Sequence, residues 1–284
     1  MTLVNICFLC TRPFLVFEIK TTSSLCARLL EHWADNRYKQ VMQKKWTTEE
    51  LFWAKKAAAR KAVLQLRSFQ VVGLGTGSTV EQMLPLIPAL KLSGMRFVCT
   101  SQRTKRMAIS LGLTVLDLDE CITHSLDEKP IDMTIDGADE VDSEFRLMKG
   151  GGGALLWEKL IAQSSKVMCV IVSPEKRVKT LGQSFSLPVE VVFYGRNKVL
   201  QSIQALHKKA QIRKHDGLIV RTDSGNCLID IPGLIENPEE LHASLKQITG
   251  VVETGLFLNE ASFVYIGQPD GSCLVTQKNQ QKET

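Results

Sequence analysis

The order of elements along this 284-residue chain predicts an α/β fold: a mostly parallel sheet flanked by helices, with a smaller α+β subdomain. Three observations carry that expectation. Short apolar runs of strand length recur at residues 70–74, 96–100, 113–118, 132–135 and 166–172. Helical stretches separate them, so successive strands need crossovers and lie parallel. After Gly182 the pattern changes to short strands set around turn residues, which suits a separate α+β unit.

Taken in order, the ordered body begins at Thr47-Thr48-Glu49-Glu50, a capping box opening an Ala-rich helix that runs to about Leu66. Helices follow at 103–111 and 154–163, between the strands of the sheet. In the subdomain a strand at 187–193 leads to a helix at 197–209, and then to strands 218–222 and 227–231 around the turn Asp223-Ser224-Gly225-Asn226. Another helix starts at Pro238. Short strands at 255–259 and 263–267 can return to the first sheet, and the Lys/Gln-rich end from Lys278 frays. The expected division is an N-terminal extension (1–46), a catalytic main domain (47–181 with 255–273), a subdomain (182–254) and a tail (274–284).

Composition narrows the class. Apolar residues at 44% and charged residues at 23% are those of an ordinary globular protein. The net charge is +5, but seven basic against three acidic residues before Thr47 place +4 of it in the head. The nearly neutral body argues against nucleic acid as a partner. Eight cysteines include one C-x-x-C pair, Cys7 and Cys10, and no second pair to complete a zinc site. Cys99 and Cys169 sit in apolar strands and read as small buried hydrophobes of a reducing compartment. No apolar run reaches the roughly 18 residues of a membrane span, so no membrane partner is expected. The first thirty or so residues are poor in acids and hold Thr, Ser and Arg, which is weakly similar to a transit peptide; an intracellular location, plastid or cytoplasm, follows.

Three motifs can carry chemistry. Gly73-Leu74-Gly75-Thr76-Gly77-Ser78-Thr79 turns a buried strand into a helix, where bare backbone and free N–H groups suit a phosphate. It lacks the lysine of a Walker A loop, and Ser78 replaces the last glycine of a dinucleotide fingerprint, so a phosphomonoester fits better. Asp136-Gly137-Ala138-Asp139-Glu140-Val141-Asp142 follows a strand directly, at the end where open α/β sheets bind ligands. Its acids can also serve a divalent cation or a solvated turn, but the spacing misses the EF-hand pattern and no histidine lies nearby. Lys149-Gly150-Gly151-Gly152-Gly153 opens a helix that carries Glu158, so an ammonium and a carboxylate flank one cavity built of bare backbone.

A sugar isomerisation needs one group of each kind: a base, an oxyanion stabiliser, acids for the sugar oxygens and a phosphate anchor. Glu158, Lys149, the pair Asp136 and Asp139, and the loop Gly75, Thr76, Gly77, Ser78, Thr79 fill those places. A partly dry pocket raises a carboxylate toward neutrality and makes it a competent base.

GLGTGSTV, the Thr100-Ser101 strand end, DGADEVD, KGGGGALLWEKL, Ser173-Pro174-Glu175-Lys176, LPVEV and GLFLN follow one another in an order and spacing that resembles the type A ribose-5-phosphate isomerases, here a plant-like member with an N-terminal extension. The likeness runs from about Glu50 to about Gly271. It implies a Rossmann-like main domain, a ferredoxin-like subdomain, no cofactor and no metal, a phosphosugar substrate and a homodimer. It also implies that Glu158 accepts the proton and that Gly137, Ala138, Gly150, Gly151, Gly152 and Lys176 join the residues above in contacting substrate. Trp157 and Gln102-Arg103 depart from the family's usual residues, without removing a proposed group. A non-catalytic sugar-phosphate sensor on the same scaffold is the alternative; it needs an output module, and no helix-turn-helix segment precedes Thr47.

Overall fold

Seven strands form the main sheet of the computed structural model, which describes residues 45–68, 70–123 and 125–278. The expectations for the extension before Lys45, the Cys7/Cys10 pair included, and for the last six residues lie outside the described residues. In chain order the strands are β1 (Val71–Leu74), β2 (Arg96–Cys99), β3 (Val115–Leu116), β4 (Met133–Asp136), β5 (Glu140–Val141), β6 (Leu147–Met148) and β7 (Met168–Val172). β8 (Leu187–Val191), β9 (Gln211–Ile212), β10 (Lys214–His215), β11 (Leu218–Ile219), β12 (Cys227–Ile231), β13 (Val251–Thr254), β14 (Leu256–Phe257), β15 (Phe263–Gly267) and β16 (Cys273–Gln277) complete the series. The main sheet has the order β16-β15-β7-β4-β1-β2-β3 and is parallel except for the edge strand β16, which runs antiparallel to β15. Every residue of β1 and β7 is buried, as a strand covered on both faces requires.

The helices that cover it are α1 (Thr48–Val63), α2 (Ser78–Met83), α3 (Gln102–Ser110), α4 (Leu118–Thr123) and α5 (Leu155–Gln163). α1 starts as its sequence requires. The Thr47 hydroxyl accepts the Glu50 N–H at 3.1 Å and the Glu50 carboxylate accepts the Thr47 N–H at 2.9 Å. Its alanines at 54, 58, 59 and 62 are fully buried, and they bring the helix so near the sheet that a Cβ on Gly267 would stand 1.9 Å from the Ala54 carbonyl.

The second sheet has the order β13-β8-β12-β9, antiparallel throughout. With α6 (Arg196–Leu206) between β8 and β9 and α7 (Pro238–Lys246) between β12 and β13, the chain order is βαββαβ. That is the ferredoxin-like arrangement. A separate apolar core around Val189, Ile203 and Ile229 lies beneath it.

Four local readings are corrected. Strand 218–222 does not pair with 227–231; Leu218 and Ile219 form a two-stranded hairpin with Lys214 and His215, and a single bridge joins Arg221 to Cys227. Only Val115 and Leu116 of the run 113–118 are strand, because Leu118 already begins α4. Leu256 and Phe257 join β6 and β5 in a three-stranded sheet instead of the main one, whereas 263–267 does return to it beside β7. Residues 274–277, assigned above to the tail, form with Cys273 the antiparallel edge strand β16, a short run exposed enough along its length to carry no buried-strand signal.

The sheet order fixes where a ligand can sit. From β1 the chain adds β2 and β3 on one side; from β4 it adds β7 and β15 on the other. The crevice beyond the C-terminal ends of β1 and β4 is therefore the topological switch point. Both the Gly75–Thr79 loop and the Asp136 motif leave their strands there.

Candidate active site

A cavity of about 170 Å³ opens at this switch point. Three walls, each one of the sequence motifs, meet in it: Thr76 to Thr79 after β1, Gly137 to Asp139 after β4, and Lys149 to Gly152 with Glu158 from the start of α5. Lys176, in the turn after β7, also lines it. Asp136 and Gly75 stand behind these walls. A Cβ on Gly75 would lie 2.0 Å from Asp136 Oδ1, so this glycine makes room for the aspartate and does not itself line the cavity.

Each of the four acids of the second motif takes its own set of partners. Asp136 Oδ1 accepts the N–H groups of Thr76 (3.0 Å) and Gly137 (2.7 Å), and Oδ2 faces the Lys149 ammonium at 3.0 Å. Asp139 Oδ2 accepts the Gly151 N–H at 2.7 Å and so ties the second motif to the third. Glu140 points away from the cavity and accepts the N–H groups of Gly182, Ser184 and Phe185. Asp142 binds Arg146 at 2.7 Å and the N–H of Glu144.

Lys149, Asp136 and Glu158 form a buried trio. The Lys149 ammonium lies 3.0 Å from Asp136 and 3.3 Å from Glu158 Oε1, and donates to the Gly137 carbonyl at 2.6 Å. The second carboxylate oxygen, Glu158 Oε2, is buried without a hydrogen-bond partner among the described residues. Burial raises Glu158 to about 8, and the neighbouring charges of Asp136 and Asp139 add to the effect while Lys149 opposes it. Burial raises Asp136 as well, against the pull of Lys149 and two N–H groups. For Lys149 burial acts downward, but Asp136 and Glu158 outweigh it and hold the ammonium above the ordinary lysine value. One cation between two carboxylates, both raised by burial, thus leaves the pair holding a proton more readily than ordinary carboxylates do, with Glu158 the member on the cavity wall.

α5 holds Glu158 in place through its neighbour. Lys159, the next residue, points away from the cavity and donates to Glu253 Oε1 (2.8 Å) and to the carbonyls of Thr254 (2.8 Å) and Leu256 (2.7 Å). Phe257 lies between the two ammoniums, 5.5 Å from that of Lys149 and 4.8 Å from that of Lys159.

On the β1 loop Thr76 is fixed by hydroxyls: its Oγ1 lies 2.8 Å from those of Thr100 and Ser101. Two lining residues escaped the sequence reading as ligands. Lys55 of α1, which the sequence leaves open between reaching a phosphate and the more ordinary solvated helix face, lines the cavity and donates to Ser78 Oγ at 3.0 Å. Glu175 also lines it, with one buried oxygen unpartnered. Glu175 stands in the Ser173-Pro174-Glu175-Lys176 segment, next to the lysine named there as a contact; Lys55 shows itself only by sharing a helix with alanines that pack against the sheet. His242 shares a hydrogen bond with Thr254 Oγ1 at 2.7 Å, away from the cavity.

A family model for ribose 5-phosphate isomerase A (phosphoriboisomerase A) matches residues 96–271. The chain belongs to this family. Its relatives include ribose-5-phosphate isomerase A of Bifidobacterium longum (strain NCC 2705), 41% identical over 79% of this chain and 96% of that protein. The same enzyme of Limosilactobacillus reuteri (strain DSM 20016) is 40% identical over 76% and 94%. Among solved structures, ribose 5-phosphate isomerase from Plasmodium falciparum superposes with a TM-score of 0.72 at 34% identity, covering 79% of this chain and 98% of that one. A D-ribose-5-phosphate isomerase in complex with phospho-erythronic acid gives 0.72 at 32%, covering 78% and 97%. Among the described residues of this ribose 5-phosphate isomerase A family member, no helix is long and apolar enough to cross a membrane.

Proposed function

We propose that the chain interconverts D-ribose 5-phosphate and D-ribulose 5-phosphate by moving a proton between C1 and C2 through an enediolate. The observation that carries the assignment of the base is the free, buried Oε2 of Glu158 beside the Lys149 ammonium. With its value raised toward neutrality, the carboxylate takes the proton from one carbon and returns it to the next. Lys149 supports the oxygen that becomes negative, in a water-poor site where a fixed charge acts strongly. Asp139, on the cavity wall, handles the sugar hydroxyls, and Asp136 keeps Lys149 charged and aimed. The phosphate rests on the Thr76 to Thr79 loop between Lys55 and Lys176.

The same reading takes residues 47–181 and the return strands as the catalytic part, 182–254 as the subdomain, and a homodimer as the working unit, to be checked by analytical ultracentrifugation. Glu158→Gln keeps the shape and removes the base. It is expected to bind phosphosugar while kcat falls about 10³-fold, within the range for general acid–base groups. Wild-type turnover by this variant in a ribulose 5-phosphate assay would remove Glu158 from its role. Binding without turnover by the unaltered chain would favour the sensor.

A further inference from the structure

Residues 150–153 form a turn closed by the Gly153 N–H, which donates to the Gly150 carbonyl at 3.0 Å. Neither Gly151 nor Gly152 has φ in the left-handed region, so the turn is not of type II, whose third residue needs positive φ. With no Cβ on either central residue, the peptide between them can flip toward type II at little steric cost. Which way it faces matters, because a trans peptide sets its C=O and N–H in opposite directions. Turning the Gly151 carbonyl outward turns the Gly152 N–H inward.

Arg213 of the small subdomain fixes that choice from outside the cavity. Its Nη1 donates to the carbonyls of Gly150 (3.0 Å) and Gly151 (2.9 Å). Its Nε and Nη2 form a fork with the two oxygens of Asp230 at 2.8 and 2.5 Å. The backbone of Arg213 is held too: its N–H donates to the Leu228 carbonyl at 2.8 Å and its carbonyl accepts the Val220 N–H at 3.1 Å. On the other side of the loop the Gly151 N–H is taken by Asp139. The Gly152 N–H has no hydrogen-bond partner among the described residues, and Gly152 lines the cavity beside Thr76.

We propose that Arg213, braced by Asp230, is a positioning residue for the isomerisation: by holding the Gly151 carbonyl it keeps the Gly152 N–H aimed at the substrate oxygen that becomes anionic. The inference rests on the isomerase reading of this cavity. That N–H adds a second, uncharged donor to the ammonium of Lys149.

The test compares Arg213→Ala, Arg213→Lys and Asp230→Asn with the unaltered chain in three measurements: kcat and KM for ribose 5-phosphate, affinity for phospho-erythronic acid, and thermal melting. Arg213→Ala is expected to lose about 10- to 100-fold in kcat with KM changed less than about 3-fold. Millimolar guanidinium ion should restore part of that loss while leaving Glu158→Gln inactive. Lysine, which cannot make the fork and reach both carbonyls, should not restore it. A wild-type kcat in Arg213→Ala overturns the proposal. So does a loss that tracks a lowered melting temperature and is not rescued by guanidinium. If Arg213→Ala does not fold, Asp230→Asn decides, with a several-fold fall in kcat expected and an unchanged kcat fatal. If the unaltered chain binds phospho-erythronic acid but turns nothing over, the isomerase reading fails, while weakened binding of that acid in Arg213→Ala still upholds the positioning.

Discussion

At the scale of single residues, the chemistry depends on one proton shared by three buried side chains. Because Glu158 must be ionised to act as base and its value in the free protein is about 8, kcat/KM should fall about tenfold per pH unit below that value. A pH–rate profile of the free enzyme checks this; a flat profile from pH 6 to 8 would show that another group moves the proton. Lys149 carries both chemistry and stability. Lys149→Met removes the cation from between two carboxylates at 3.0 and 3.3 Å, so kcat should drop about 10²- to 10³-fold. Stability at pH 8 should drop about 3–5 kcal/mol, as when a buried pair loses one partner. Urea denaturation reads the second effect. A variant as stable as wild type would mean that the carboxylates simply take up protons.

At the scale of elements, the loops are placed by carboxylates that never touch the cavity. Glu140 is fully buried and accepts three N–H groups from the loop at 182–185. That loop carries Phe185, whose ring lies 4.6 Å beneath the Lys176 ammonium. Glu140→Gln turns an acceptor into a donor against one of those N–H groups and loosens the platform. KM should therefore rise about 3- to 10-fold, one hydrogen bond's worth, with kcat within about 2-fold; an unchanged KM would separate Lys176 from phosphate binding. Much of the site was legible in the sequence because it is written in local motifs: bare glycine runs and clustered acids at strand ends need no knowledge of tertiary contacts. Glu140 looked there like one more acid of DGADEVD, and Lys55 like a helix-surface lysine, since their partners stand 42 and 23 residues away. The parallel strands were legible as continuous apolar runs. The hairpin at 218–231 was misassigned because the turn signal at Asp223 to Asn226 is real, while the choice of partner for β12 belongs to β8 and β9. No local pattern encodes it.

At the scale of the whole molecule, the same buried trio that serves catalysis weakens the fold, with a pH dependence whose sign can be worked out. Glu158 titrates near 4.5 in the unfolded chain and near 8 when folded. Between those values the native state keeps a proton that the unfolded state has released, so stability falls as pH rises through the window. The contribution is intact below about 4.5 and lost by about 8. Glu158→Gln removes this group's titration and also the repulsion that Glu158 exerts on Asp136. Groups outside the trio, His242 included, titrate in both proteins and cancel in the difference to first order. The melting temperature of Glu158→Gln minus that of the unaltered chain should thus be smallest at pH 4.5 and grow steadily to pH 8.5, leaving the inactive protein the more stable of the two at alkaline pH. Differential scanning calorimetry at half-unit steps gives the curve. Parallel pH dependences of the two proteins would mean that Glu158 is not held in the dry setting, beside Lys149 and two further carboxylates, from which its role as a base was argued.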